Sequence, residues 1–213
     1  MTELFVSAFA TFFVVIDPAG CAPIYSGLTS GATAAARRTM AIRAIMISLG
    51  VLLVFAFFGE PLLSALGISL DAFRVAGGIM LFIIALEMVF EKRTERREAR
   101  AEEVGRSEVE DVSVFPMAIP MIAGPGSIAS IMLLMSEADT VGESGAVLGA
   151  LVLVLALTLV ALLLAGPLLR LLGQKMEAMI TRLLGVILAA LAAQYVIDGL
   201  VGSFVPAAGA VPL

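Results

Sequence analysis

The sequence predicts an all-α polytopic membrane protein of six transmembrane helices, arranged as two inverted three-helix repeats with discontinuous first and fourth helices. Three observations carry this reading. Of 213 residues, 61% are hydrophobic and only 15% charged, against about 25% charged in ordinary globular proteins. The mean hydropathy is +1.08, and several runs approach the roughly 20 apolar residues that cross a bilayer as helix. Finally, two Pro/Gly clusters, Asp17–Pro23 and Pro120–Ser127, interrupt spans at matching places in the two halves.

Taken in order, the first span covers about Leu4 to Leu28 and breaks near Asp17–Pro23. Its start, Met1-Thr2-Glu3, carries an acid and no base, and a Pro/Gly-broken run containing Asp makes a poor cleavable signal, so it is kept as a span. The second span covers about Ala44 to Phe58, is ended by Gly59-Glu60-Pro61, and is followed by a short apolar reconnection over Leu62–Leu70. The third covers about Asp71 to Phe90, and Glu91 to Asp111 is the one polar stretch, with acids and bases intermixed. The fourth covers about Val114 to Met135, broken at Pro116, Pro120 and Pro125; Ser136–Gly145 reads as an acidic turn. The fifth covers about Ala146 to Leu164 and ends at Gly166-Pro167, and its Gly145-x-x-x-Gly149 would admit a close helix. The sixth begins near Met176 or Arg182 and ends near Phe204. The chain thus divides into a first repeat (1–90), a charged loop (91–113) and a second repeat (114–213).

Twelve of the 13 Lys and Arg fall on connections that share one side, Arg74 being the exception. The positive-inside rule makes that side cytoplasmic and puts both termini on the outer face of the plasma (or inner) membrane. The halves also echo each other. Pro61 and Pro167, Arg74 and Arg182, and the turns at Asp17 and Gly124 recur at offsets of 106 to 108 residues. A repeat of three spans must enter the membrane the second time from the opposite face, which is the ground plan of many secondary transporters.

Proline removes an amide donor and clashes with the preceding turn, while glycine tolerates most backbone angles. Backbone groups freed at such a break survive in hydrocarbon only where protein or a watery cavity satisfies them. The bland alternative is a kink that shapes packing; two kinks in register favour a binding site. Asp17 lies about 20 Å along its helix at about 1.5 Å per residue, inside a core roughly 30 Å thick. A lone carboxylate there costs about 3 kcal/mol on insertion scales. Protonation, a bound cation, or hydrogen bonds from freed amides would each resolve it, and an N-cap role for the resumed helix is the structural alternative. The Gly124-Pro125-Gly126-Ser127 turn would offer bare amides at a helix N-terminus, suited to a carboxylate. Facing breaks would then suit a zwitterion, the simplest being a neutral amino acid. The candidate substrate-binding residues are Asp17, Pro18, Gly20, Cys21 and Pro23 in one break and Gly124, Pro125, Gly126 and Ser127 in the other.

Other polar residues read as less informative. Arg74 and Arg182 would snorkel to headgroups, Glu87 and Asp198 would sit at interfaces, and Tyr25, Ser130, Gln194 and Tyr195 are polar enough to line a cavity. No histidine is present and Cys21 is the single cysteine. That excludes an internal disulfide and a thiol metal cage, and removes the commonest general base. Gly-Pro-Gly-Ser is not a Gly-x-Ser-x-Gly elbow, so no enzyme, cofactor or metal site is expected. The interleaved charges of the central loop give no nucleic-acid signal.

The motifs Asp17-Pro18-Ala19-Gly20-Cys21-Ala22-Pro23-Ile24 and Ala118-Ile119-Pro120-Met121-Ile122-Ala123-Gly124-Pro125-Gly126-Ser127-Ile128 resemble the MarC family of membrane proteins, as does the stretch from Arg182 to Leu200. The likeness spans the chain, including its length. It implies kinship with carriers of small neutral amino acids such as glycine or alanine. At Cys21-Ala22 this chain departs from the pattern, where a more polar residue such as Asn would follow the glycine. The function expected is a secondary transporter working by alternating access, coupled to protons or Na⁺. An efflux carrier for other small molecules and a non-transporting membrane scaffold are the alternatives. The expected partners are the amino acid, the coupling ion and membrane lipid.

Overall fold

Eight helical segments follow one another along the chain: α1 (Thr2–Ile16), α2 (Pro18–Leu28), α3 (Ala34–Ala65), α4 (Leu70–Val89), α5 (Ser113–Ile122, π-type), α6 (Pro125–Ser136), α7 (Val141–Leu163) and α8 (Ala165–Phe204). This computed structural model describes residues 1–90, 92 and 111–204, without the side chains of 168–175 and 177. Most of the expected charged loop, with the bases from Arg93 to Arg106, lies outside the described residues, as do the side chains of Arg170 and Lys175. Every regular element among the described residues is helical.

Five apolar stretches are long enough to cross a membrane: Thr2–Leu28, Ala34–Ala65, Leu70–Val89, Val141–Leu163 and Ala178–Phe204. The bent pair α5–α6, with 52° between its halves, would make a sixth.

The helix starts follow local chemistry. Thr33 and Ser69 accept from the amides of Ala36 and Ala72, closing the first turns of α3 and α4. Thr140 and Glu143 form a reciprocal capping box, so α7 starts at Val141 and the expected acidic turn shrinks to a few residues. Two expected breaks are absent. α3 runs through Gly59 and Pro61 to Ala65, because losing one amide bond at Pro61 is cheaper in hydrocarbon than freeing a whole turn. Gly59 instead makes a packing notch, where a Cβ would lie 2.7 Å from Met132. Gly166-Pro167 does not end the fifth span either. α7 stops at Leu163, and Gly-Pro lies in the first turn of α8, where a missing amide is harmless.

Glycine notches set the packing. α4 and α8 run antiparallel in close contact: a Cβ at Gly78 would lie 2.8 Å from the Ala192 carbonyl, one at Gly185 3.0 Å from that of Ala85, and one at Gly199 2.7 Å from that of Asp71. α1 and α7 run side by side in the same direction, Met1 against Gly142 and Phe5 against Gly149. The close approach expected at Gly145-x-x-x-Gly149 does not occur there: among the described residues a Cβ at Gly145 would meet nothing within 4 Å, and one at Gly149 only Phe5 at 3.9 Å. One buried apolar cluster spans α1, α2, α3, α5, α6 and α7. A second joins α4 and α8 to Val14 and Val15 of α1 and Leu133 of α6. At one end of the bundle stand Met1, Asp71, Gly142 and Gly202; Arg37 and the Arg43–Asp111 ion pair mark the other.

Candidate functional site

The first break is narrower than expected. A single residue, Asp17, separates α1 from α2, and its backbone is left-handed (φ 57°, ψ 71°). Asp and Asn visit this region more readily than other non-glycine residues. The Asp17 carboxylate is 3% exposed and accepts from the Gly20 amide at 3.0 Å, so the N-cap role is realised. Pro18 follows in the first turn, where its missing amide costs nothing. Gly20 is required by the cap itself: a Cβ there would lie 2.3 Å from Asp17 Oδ2. Pro23 does not interrupt the chain; it sits inside α2.

The second break has two residues, Ala123 and Gly124, between α5 and α6. α5 is itself irregular, with extended backbone at Phe115 and Ile119, each followed by a cis-proline. Gly124 caps α6 with extended geometry, and Pro125 opens the helix. A Cβ at Gly124 would lie 2.3 Å from the Pro120 carbonyl, which explains the glycine.

Both breaks are stitched in the same way. The Cys21 thiol lies 3.4 Å from the Ile16 carbonyl, and the Ser127 hydroxyl donates to the Ile122 carbonyl at 2.7 Å. In each case a side chain reaches back five residues to the last carbonyl of the preceding helix, at an offset of 106 residues along the chain. Cys21, the departure noted in the motif, therefore does with a weak S–H donor what Ser127 does with a hydroxyl. Both residues are buried.

The two breaks are neighbours. At Gly126, in the first turn of α6, a Cβ would meet Val15 of α1 at 3.1 Å and Ile84 of α4 at 2.5 Å. Val15 stands two residues before Asp17. The start of α6 thus packs against the end of α1. The amides of Gly126 and Ser127 belong to a helix's first turn and have no preceding turn to bond, and they carry its positive dipole end.

One turn further along α6, Ser130 is wholly buried and its hydroxyl has no hydrogen-bond partner among the described residues. The Ser113 hydroxyl at the start of α5 shares this state, whereas the buried hydroxyls of Thr11, Thr29, Ser48 and Thr158 each bond the carbonyl four residues back. A buried polar atom without a partner calls for an explanation, and Ser130 lies on the same helix face as Ser127. Tyr25 is buried and donates to the Arg37 carbonyl, and Arg74 pairs with Asp71 at 3.1 Å. Gln194 donates to Asp198 at 2.8 Å on the α8 surface.

Sequence reasoning missed two features. One is the mutual stitching of the breaks, whose only signal is a hydrogen-bonding side chain five residues after an apolar helix end. The other is the contact of Gly126 with Val15 and Ile84, invisible in a linear pattern because it joins three elements.

Such a bundle, with two interrupted spans touching at their breaks, defines a class of polytopic helical membrane protein. The profile of the MarC family integral membrane proteins matches residues 2–204, and the chain belongs to that family. It is 37% identical to UPF0056 membrane protein MJ1677 of Methanocaldococcus jannaschii, over 94% of this chain and 98% of that protein. It is likewise 37% identical to UPF0056 membrane protein YvbG of Bacillus subtilis, covering 96% and 97% of the two chains. UPF0056 inner membrane protein YhgN of Escherichia coli K12 is 34% identical, covering 94% and 97%. No solved structure matches the chain.

Proposed function

We propose that this protein is a secondary transporter of a small neutral amino acid of the glycine or alanine type, coupled to protons or Na⁺ and working by alternating access. The observation that carries the reading is the contact between the two breaks, Gly126 against Val15, beside the buried Asp17. The first-turn amides of α6 suit the carboxylate of an amino acid. The Asp17 carboxylate, buried at the junction where it accepts from the Gly20 amide, suits its ammonium. The orphaned Ser130 hydroxyl supplies a further polar partner. Gly20, Gly124 and Gly126, each without room for a Cβ, keep the junction tight, which favours a small guest.

In this reading the halves are inverted repeats that rock about the junction, a design in which discontinuous helices hold the substrate near the midplane. The recurrence of Arg74 as Arg182 and the paired stitches support that relationship. The arginine-bearing end faces the cytoplasm and both termini face outward. Import and export follow from the gradients, not from the fold.

Counterflow of labelled glycine or alanine into proteoliposomes tests the proposal. Saturable counterflow, reduced by about tenfold or more in Asp17→Ala, is expected, since a lost charge-assisted contact of ~1.5–3 kcal/mol has at least that effect. Proteoliposomes that accumulate no label beyond empty vesicles would overturn it and favour a scaffold. If the proton is the coupling ion, Asp17→Asn should also flatten the pH dependence of flux.

A further inference from the structure

A second candidate site lies away from the breaks, at the arginine-bearing end of the bundle. There the end of α2, the start of α3 and the α7–α8 corner enclose a cavity of about 370 Å³, within the roughly 300–1,000 Å³ of ordinary ligand pockets. Its polar wall carries Arg37, Arg38 and Ser26, and its apolar wall carries Leu162 and Leu163. Among the described residues no carboxylate lines it. The Asp111 carboxylate, which acts electrostatically on Tyr25 of the same wall, is engaged by Arg43.

Arg37 is fixed in place. Its Nε donates to the Thr29 carbonyl at 2.8 Å and its Nη2 to the Ser30 carbonyl at 3.0 Å. These bonds tie Arg37 to the turn that follows α2 but leave the full positive charge at the cavity, since carbonyls carry no net charge. Arg38 has no carboxylate partner among the described residues. α3 starts at Ala34, also in the wall, and presents its positive dipole end. The Thr33 cap uses only the Ala36 amide, so the preceding amides of the first turn stay open to a ligand. Two planar guanidinium groups beside a helix N-terminus match the oxygens of a phosphate better than those of any neutral guest.

We propose that this cavity binds a phosphate group, carried by an anionic lipid headgroup or free in solution. The setting resembles the basic pockets between transmembrane helices that hold phosphate-bearing headgroups. Leu162 and Leu163 continue the apolar α7 span up to the cavity rim, so a glycerol backbone would meet apolar surface as its phosphate meets the arginines.

The test is thermal unfolding of the purified full-length protein in a neutral detergent. It is titrated with a short-chain phosphatidylglycerol, or with sodium phosphate against sodium chloride at equal ionic strength. Arg38→Gln is the informative variant, because Arg38 is exposed and its loss leaves the Arg37 bonds intact. Arg43→Gln, made together with Asp111→Asn so that no carboxylate is left unpaired near the wall, alters the charge pattern of the same end without touching the cavity. A saturable rise in Tm is expected, with half-saturation moved about fivefold or more by Arg38→Gln and less than about twofold by the Arg43→Gln, Asp111→Asn double variant. Arg38→Lys, which keeps the charge but loses the fork, should fall between. A response to phosphatidylglycerol alone assigns the phosphate to a lipid; an equal, Arg38-dependent response to inorganic phosphate assigns it to a free anion. The proposal is overturned if neither probe raises Tm, or if Arg38→Gln and the double variant weaken the response equally.

Discussion

At the scale of single residues, the first break depends on three that act as a unit. Asp17 turns the chain through the left-handed region, its carboxylate caps α2, and Gly20 leaves room for that carboxylate. Asp17→Ala should cost about 1 kcal/mol for the lost cap and a further ~1–2 kcal/mol for a β-carbon without a local polar partner in that conformation. Asp17→Asn retains an acceptor and tolerates the angle, so its Tm in detergent should stay close to wild type. Gly20→Ala should destabilise like Asp17→Ala, because the added methyl displaces the cap; equal Tm values for Gly20→Ala and wild type would contradict this account. Ser127→Ala leaves the buried Ile122 carbonyl without its donor, a loss of about 1–3 kcal/mol. Ser127→Cys should recover part of it, since Cys21 makes the equivalent contact in the first half.

At the scale of elements, the sequence located the interrupted spans but misplaced some interruptions. Prolines were the signal, and prolines do not all act alike. Pro18 and Pro125 begin helices, where they fit; Pro23 and Pro61 are absorbed within helices. The actual turning points are Asp17 and Ala123–Gly124, set by capping and by the clash of a Cβ with a carbonyl, neither of which shows in hydropathy. Eight of the nine candidate residues stand at the two breaks or in the helical turn that follows each, and Pro23 lies deeper in α2. What stayed hidden was their third neighbour, α4, which reaches the junction through Ile84 and Leu81. Gly126→Ala should push on Ile84 and Val15 and cost ~1–3 kcal/mol. Pairing it with Ile84→Val, which removes the offending methyl, should restore part of that stability; simple additivity in a double-mutant cycle would show that the two residues do not touch. The link between α3 and the entry to α5 is electrostatic. Hydrogen bonds from Ser113, and then the Arg43 guanidinium, hold the Asp111 carboxyl below its usual range. A depressed carboxylate pKa means that its stabilisation is present above the ordinary value near 3.8 and disappears as the pH falls through the lower folded-state value. Because both side chains are well exposed, the effect should stay under about 1 kcal/mol. Melting curves of wild type and Asp111→Asn should therefore differ at neutral pH and converge in acid.

At the scale of the whole molecule, the alternation of helix directions keeps two ends apart. Met1, Asp71 and Gly142 belong to one, and Arg37, Arg38 and Arg43 to the other. In the orientation proposed above, the second faces the cytoplasm. In a Cys21→Ser background, a membrane-impermeant maleimide added to intact cells should label Asp139→Cys and spare Arg38→Cys; the reverse pattern would invert the assignment. The seam between α4 and α8 bears on motion as well. Three glycines, at 78, 185 and 199, bring these two backbones closer than larger side chains would allow, and close-packed surfaces of that kind do not slide gradually. α4 and α8 are therefore bolted together, a keel for the bundle. Any rocking must be taken up by the lighter members, α1–α2 and α5–α6, whose joints consist of one and two residues. For the transport cycle proposed above, a covalent tether across the keel should leave flux untouched, whereas one between α1 and α7 should arrest it.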